Sequence, residues 1–373
     1  MHQLEGETLT KEQCLRQVIN DPTNVNALVN AAVFLDENQG YEEADWYSRL
    51  AHAQEPLNAR SCQAMASLHA RNAEWLEAIA LSSRALRYRP NSPLYRYMRT
   101  WPLLALGRYA EAWQDMEWGR CIPDGARVNR SPKPMYDGTD PYGTVLVTQE
   151  MGFGDAIQFS RFIPILRERH KGRIMLEVIA PLVPLFYGQW EGVEVAGYSE
   201  DGAEPCDVDQ WIGMMGLPGA LGITRGEDIP KPPYLKLPEG TGCKVDSKYA
   251  AALMGSKKHA ITTLRNATPE MAEEIKDLYP GIALLGENPG DVEFEKTINV
   301  PRSYAQSAHL VASLERLVTV DTSWAHLAGA LGLDFDLIPA RFGEWRWARW
   351  MDWYPQVNFV WTSAHPKRWV EKS

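Results

Sequence analysis

The sequence is short of cysteine, of positive charge and of long apolar runs, and each shortage closes off a class of protein. Five cysteines (Cys14, Cys62, Cys121, Cys206 and Cys243) are scattered through 373 residues with no CxxC pair. Neither a zinc ribbon nor a disulfide framework is therefore expected, and reduced thiols in a cytoplasmic setting fit best. Acidic residues outnumber basic ones, 48 to 38, for a formal net charge of −10. That balance argues against non-specific nucleic-acid binding over a broad basic surface, although a local basic groove fits within it. No apolar run approaches the roughly 20 residues of a membrane helix. The stretch from Met1 to Glu7 lacks the basic start and apolar centre of a secretory leader, so none is expected. What is present is a globular composition, 45% hydrophobic and 23% charged, at a length that suggests two or three domains.

The first third repeats. Tyr41, Trp75 and Tyr109 are spaced by 34 residues (75−41 and 109−75), as are Ala44, Ala78 and Ala112. Ala51 and Ala85, then Pro56 and Pro90, follow at the same offset. A period of 34 with these residue types is the tetratricopeptide pattern of paired helices. Small residues let the two helices approach, the aromatic fills the gap and proline ends the second helix. Three repeats fit between Asn24 and Cys121, with a capping helix over 11–20. This block carries no catalytic constellation, and bracing the next domain together with peptide or protein contact is its expected role.

A turn-rich stretch through Pro123, Gly125, Pro132, Pro134, Gly138 and Pro141 marks a boundary. Beyond it, short β-branched runs alternate with helical patterns, which indicates parallel sheets. Strands are expected at 144–149, 174–179, 193–195 and 207–212, and again at 259–264, 282–285, 317–320 and 335–338. A helix is expected over 156–170, kinked at Pro164, and others over 269–279 and 303–314. The prolines between 230 and 238 suggest a hinge. The resulting division is 1–125, 140–235 and 236–373. Fourteen tryptophans crowd towards the C-terminus, where core packing is the expected job of most.

Two strand-to-helix turns stand out. In the first, Gly152-Phe153-Gly154-Asp155 follows a buried strand, and its glycines allow sharp turning and close approach to a ligand. A GxGD alone is a weak signal, and Asp155 could be an N-cap only. In the second, Asp321-Thr322-Ser323-Trp324-Ala325-His326 joins a strand to a helix of small residues that stops at Gly332. Such a turn sits at the carboxyl edge of a parallel sheet, where ligands bind, and its free N–H groups and dipole suit a phosphate. It could equally be an ordinary capped crossover.

Together with the repeats, the run Gly-Phe-Gly-Asp-Ala-Ile-Gln-Phe-Ser-Arg-Phe-Ile-Pro, the segment Asp207 to Pro218, Pro233-Tyr234-Leu235, the run from Val320 to Gly332, Glu344-Trp345-Arg346-Trp347 and Trp353-Tyr354-Pro355 resemble a known family. The chain looks like the bacterial tetratricopeptide-repeat glycosyltransferases whose catalytic region is similar to the ADP-heptose–lipopolysaccharide heptosyltransferases. Protein O-GlcNAc transferases share the general layout. The resemblance implies a GT-B fold, with two Rossmann-like domains facing across a cleft. Residues 140–235 would present a hydroxyl acceptor (glycan, protein or nucleobase) and 236–373 would hold a nucleotide-sugar donor. Asp155 would be the general base, facing the Asp321 turn. Gly152, Gly154, Thr322, Ser323 and the helix start would cradle the donor, with Asp321 and His326 at its sugar or phosphate end. Arg265 would add positive charge in a segment shorter than the family's. No metal or other cofactor is expected. Two alternatives stand beside inverting sugar transfer. One is a non-catalytic repeat scaffold with a degenerate GT-B region. The other is a nucleic-acid base glycosyltransferase, which a basic stripe from Arg346, Arg349, Lys367 and Arg368 would favour.

Overall fold

Helix α1 (Lys11–Asn20) opens on a reciprocal cap: Thr10 Oγ1 accepts from Gln13 N–H at 3.3 Å and Gln13 Oε1 accepts from Thr10 N–H at 2.7 Å. Three helix pairs follow: α2 (Val25–Glu37) with α3 (Tyr41–Gln54), α4 (Ala59–Arg71) with α5 (Trp75–Tyr88), and α6 (Pro93–Ala105) with α7 (Tyr109–Glu117). Their first helices are capped by Asn24, Asn58 and Ser92, side chains that recur at the same 34-residue offset (58−24 and 92−58). The repeating alanines Ala44, Ala78 and Ala112 are all buried between helices. No strand occurs between Asn24 and Cys121.

The structure, a computed structural model, describes residues 10–122, 127, 129–198, 206–240, 245–255, 262–363 and 365. The first α/β region runs β1 (Thr144–Thr148), α8 (Phe153–Phe159), α9 (Ile163–Arg169), β2 (Arg173–Val178), α10 (Val183–Phe186), β3 (Val193–Gly197), β4 (Gln210–Gly213) and α11 (Leu217–Ala220). The second runs β5 (Tyr249–Ala252), α12 (Thr262–Arg265), α13 (Pro269–Leu278), β6 (Ala283–Leu285), β7 (Thr297–Ile298), α14 (Tyr304–Ala312) and β8 (Arg316–Val320). It continues through α15 (Ser323–Ala330), β9 (Phe335–Ile338), α16 (Trp345–Ala348), α17 (Trp350–Trp353) and β10 (Val357–Phe359).

Both sheets are parallel throughout, in the orders β3-β2-β1-β4 and β10-β9-β8-β5-β6-β7. Each chain path starts on an inner strand, moves out to one edge and returns to the other side. The direction therefore reverses between β1 and β4 in one sheet and between β5 and β8 in the other. Those reversals are where parallel sheets open a crevice at their carboxyl ends, and they are where the two singled-out turns begin.

Two expectations are corrected. The helix over 156–170 starts earlier, at Phe153, and is two helices separated by a 3₁₀ turn over Ser160–Phe162. Proline at 164 lies in the first turn of α9, where its missing N–H costs nothing. Of the strand expected at 259–264, residues 259–261 lie outside the described residues and Thr262–Arg265 is a helical turn; the strand is β5, ten residues earlier. The segment of prolines around 230–238, expected as a hinge, is anchored at its middle. Tyr234 and Leu235 both donate to the Ala330 carbonyl, at 3.0 and 3.1 Å, which ties this segment to the end of α15.

One continuous apolar core joins the parts, from Leu103 and Trp113 of the helical array through Val145 and Val147 to Leu317, Leu337 and Trp353. Tyr109 donates to Asp352 Oδ2 at 2.6 Å, Trp113 Nε1 donates to the Ile223 carbonyl at 2.8 Å, and Trp101 stacks on Trp345 with centroids 6.3 Å apart. The repeats thus brace the Trp-rich C-terminal segment, and Trp345, Trp347 and Trp353 are buried in the core as expected.

Candidate active site

The two turns meet directly. A Cβ on Gly154 would lie 2.5 Å from His326 Cδ2 and 3.4 Å from Ser323 Cα, so only glycine lets α8 rest against the start of α15. No cleft separates Gly154 from that helix, although the resemblance implies one. Phe153 packs at 4.9 Å from the Tyr304 ring, whose hydroxyl donates to Ser323 Oγ at 2.7 Å.

Asp155 is not the N-cap of α8; Gly152 is. From the third helical position Asp155 Oδ2 accepts from Gly152 N–H at 3.0 Å. Its Oδ1 accepts from Arg346 Nη2. The Asp155 side chain keeps 18% of its surface exposed. Arg346 also donates to Gln158 Oε1 at 2.7 Å and to Glu344 Oε1 at 2.9 Å, and stacks over the Trp345 ring at 4.5 Å. Burial pushes the Glu344 carboxyl above its ordinary value against the pull of Arg346.

Glu150, between β1 and the glycines, anchors the same turn from below. Its carboxylate takes both Arg127 Nε and Nη2, at 3.1 and 2.7 Å, while Arg127 Nη1 donates to Glu117 of α7 at 2.6 Å. Arg120 reaches Glu150 at 2.7 Å. The side chains of Arg120, Glu150 and Arg127 are only 5%, 3% and 0% exposed. The helical array therefore holds the end of β1 by charge.

In the second turn, Asp321 and His326 are 3% and 4% exposed. They underlie the surface instead of lining it. Burial pushes the Asp321 carboxyl up, but the nearby guanidinium of Arg265, with His326 and Arg346, outweighs it and holds Asp321 below the usual carboxylate range. Arg265 Nε stands 3.6 Å from Asp321 Oδ2 and His326 Nε2 stands 3.8 Å from Asp321 Oδ1. Burial lowers the His326 imidazole to about 4, so the ring is neutral at pH 7. It stacks on Trp347 at 5.7 Å. Thr322 is the N-cap of α15, but its hydroxyl pairs with Thr319 Oγ1 at 3.2 Å and caps no main-chain N–H. Thr322 and Ser323 are half-buried, and a Cβ on Gly255 would lie 3.3 Å from Thr322 Cγ2.

The structure thus brings Gly152, Gly154, Asp155, Ser323, His326 and, through Asp321, Arg265 into one neighbourhood. Arg346, Glu344 and Glu150 belong to it and were not singled out for it; Arg346 lies 191 residues from Asp155, beyond any spacing argument. Of the basic stripe, Arg346 is engaged as above, Arg349 pairs with Asp352 at 2.8 Å, and Lys367 and Arg368 lie outside the described residues. Among the described residues no helix is long and apolar enough to cross a membrane.

No family model matches the chain. It is similar to protein FlbA of Caulobacter vibrioides, 24% identical over 337 residues covering 76% of this chain and 55% of that protein. The chain thus spans about half the length of the curated relative it matches. Among solved structures it is similar to the dodecameric, iron-containing glycosyltransferase TibC of enterotoxigenic E. coli (13% identity, TM-score 0.41, 55% of this chain and 59% of that one). A TibC complex with ADP-D-beta-D-heptose matches with TM-score 0.39 at 13% identity, over 56% and 60% of the two chains. MamA matches at 16% identity and TM-score 0.26, over 31% of this chain and 67% of that one. TibC is described as iron-containing, which conflicts with the expectation of metal independence that followed from the family resemblance. Among the described residues no group of three or more His, Cys, Asp or Glu side chains is placed to hold an ion.

Proposed function

We propose that this chain is an inverting glycosyltransferase that moves a sugar from a nucleotide-sugar to a hydroxyl acceptor. The observation that carries the reading is the meeting of two carboxyl-edge turns, Gly152–Asp155 and Asp321–His326, from two parallel sheets that reverse direction at those strands. Residues 140–235 would present the acceptor, residues 236–373 the donor, and residues 1–125 a protein or peptide contact.

Breaking a sugar–phosphate bond builds positive charge on the sugar and negative charge on the leaving diphosphate. The start of α15, where the Thr322 side chain caps no main-chain N–H, can meet the phosphates through the N–H groups ahead of Ala325, whose own N–H is taken by the Thr322 carbonyl at 3.1 Å. Asp321 serves indirectly, by holding Arg265 beside that helix start. Asp155 is the candidate base. Both its oxygens are engaged, but each keeps a second lone pair for an acceptor hydroxyl. A carboxylate so stabilised in its charged form is a weaker base, and the acceptor would have to loosen the Arg346 contact to use it fully.

That engagement favours a second reading, a non-catalytic repeat scaffold. Calorimetry and product assays with a panel of nucleotide-sugars separate the two: transfer or hydrolysis supports the enzyme, whereas binding with no turnover of any donor supports the scaffold. Asp155→Asn keeps the shape and one acceptor oxygen. With Asp155 as base, transfer falls roughly 10²–10⁴-fold while donor affinity holds; full activity removes the role.

A further inference from the structure

A buried hydrogen-bonded chain runs from the first α/β region into the helix of the second turn. Arg161, in the 3₁₀ turn between α8 and α9, is fully buried. Its guanidinium donates to the carbonyls of Gln158, Pro230 and Trp353, at 2.8, 3.2 and 2.9 Å, and to Tyr234 Oη at 3.0 Å. The rings of Tyr234, Trp353 and Tyr354 surround it at 4.3, 5.1 and 4.8 Å. Tyr234 Oη lies 3.2 Å from Tyr354 Oη, and Tyr354 Oη lies 2.9 Å from His326 Nδ1. On its other side His326 Nε2 faces Asp321 Oδ1 at 3.8 Å. Gly329 makes room for this: a Cβ there would lie 2.3 Å from Tyr354 Cδ1, so a small residue in α15 lets the tyrosine reach one turn back to the imidazole.

The ends of the chain fix its direction. Arginine can only donate, and the Asp321 carboxylate, 3.8 Å from Nε2 and so beyond hydrogen-bond reach, favours a proton on that nitrogen through its charge. Protons placed between them satisfy every group only when all point the same way: Arg161 to Tyr234, Tyr234 to Tyr354, Tyr354 to His326 Nδ1. The imidazole then carries its single proton on Nε2, towards Asp321.

We propose that Arg161, Tyr234 and Tyr354 are positioning residues that hold His326 as its Nε2–H tautomer, so that Asp321 is fixed where it presents Arg265 to a bound diphosphate. The last clause rests on the glycosyltransferase reading; the tautomer does not. Because Tyr234 and Leu235 also bond the Ala330 carbonyl, the segment joining the two sheets is coupled to α15 both at its C-terminal end and, through Tyr354, at His326 in its middle.

The test is nitrogen-15 NMR of the histidine rings in the full chain at pH 7, with His326 assigned by His326→Gln. The expected wild-type signal is one protonated Nε2 and one unprotonated Nδ1. In Tyr354→Phe, which keeps the ring against Gly329, the preference for that tautomer is lost. A wild-type ring protonated on Nδ1, or a tautomer unchanged in Tyr354→Phe, overturns the proposal. Where Tyr354→Phe fails to fold, Arg161→Lys serves as the second variant: lysine keeps the donor-only charge, and the Nε2–H form should persist. ADP titration into the same samples reads the functional clause separately. A loss of about two- to tenfold in ADP affinity on Tyr354→Phe, the worth of one neutral hydrogen bond, is expected. If the tautomer responds and wild type binds neither ADP nor UDP, the relay stands and the nucleotide reading fails.

Discussion

The two turns at the centre of this molecule share a topology and differ in almost everything else. The first is capped by its own side chain, Asp155 to Gly152 N–H, and anchored by an ion network borrowed from the helical array. The second has no side-chain cap, and its two polar residues are sunk beneath it, one neutral and one paired. A turn that spends its carboxylate on its own N–H groups has little left for an anion. A turn that leaves its helix start open, with charge balanced below, is suited to receive one. On the proposed reading, this asymmetry is what puts the donor at the second turn and the acceptor at the first.

The largest effect should come from removing the anchor of the first turn. Glu150→Ala leaves Arg127 and Arg120 buried without their shared carboxylate. Stripping one partner from a buried ion pair costs about 3–5 kcal/mol, read as a lower urea midpoint. A loss under about 1 kcal/mol, within the range of an exposed pair, would show that the array and the turn are not joined by charge.

The second turn should instead answer to pH. The His326 imidazole is lowered to about 4 by burial, from an ordinary 6.5. Between those values the unfolded chain binds the proton and the folded chain does not, so His326 makes stability rise with pH across that window and contributes no slope above it. The full difference is about 3 kcal/mol at most. Asp321, held low, acts in the same sense but at lower pH, whereas Glu344, pushed up by burial, acts in the opposite sense above the ordinary carboxylate value. The difference between wild type and His326→Gln therefore isolates the imidazole. Equal slopes in urea midpoints from pH 4.5 to 7 would break the contrast.

The contact between the turns gives a smaller effect. Gly154→Ala places a methyl carbon 2.5 Å from His326 Cδ2, and overpacking of this kind costs about 1–3 kcal/mol. Glycine at 152 has no such neighbour, its nearest approach being Asp155 Oδ2 at 3.5 Å, so Gly152→Ala serves as the control in the same thermal melts. Equal losses at both positions would mean that the turns do not touch in solution.

Much of this frame is readable from residues. The period of 34 places the paired helices, and β-branched runs place β1, β2 and β8. Strand β5 escapes because Tyr249-Ala250-Ala251-Ala252 carries alanines that favour helix. It is a strand because β6 and β8 pair on either side of it and its alanines are buried, which no local pattern records. The same holds in the site. Gly152, Asp155, Asp321 and His326 announce themselves by position after a strand. Arg346 reaches Asp155 from 191 residues away, and the burial of His326 depends on Tyr354 and Trp347 arriving from beyond β9. Sequence proximity finds the turns; the charges that govern them come from distant segments.

The smallest effect on stability is the most informative about ligand binding. Replacing an N-cap threonine by alanine ordinarily costs about 0.5–2 kcal/mol, because a hydrogen bond to the helix start is lost. Thr322 makes no such bond; its hydroxyl pairs with Thr319. Thr322→Ala should therefore shift the melting point by less than that range, while Thr268→Ala, which removes a true cap on Met271 N–H at 3.3 Å, should fall within it. If the uncapped helix start receives the diphosphate, Thr322→Ala will still weaken nucleotide-sugar binding, since a hydroxyl at its rim is lost. A variant with a full cap's loss of stability would show that Thr322 closes the helix after all, and the second turn would then be as self-satisfied as the first.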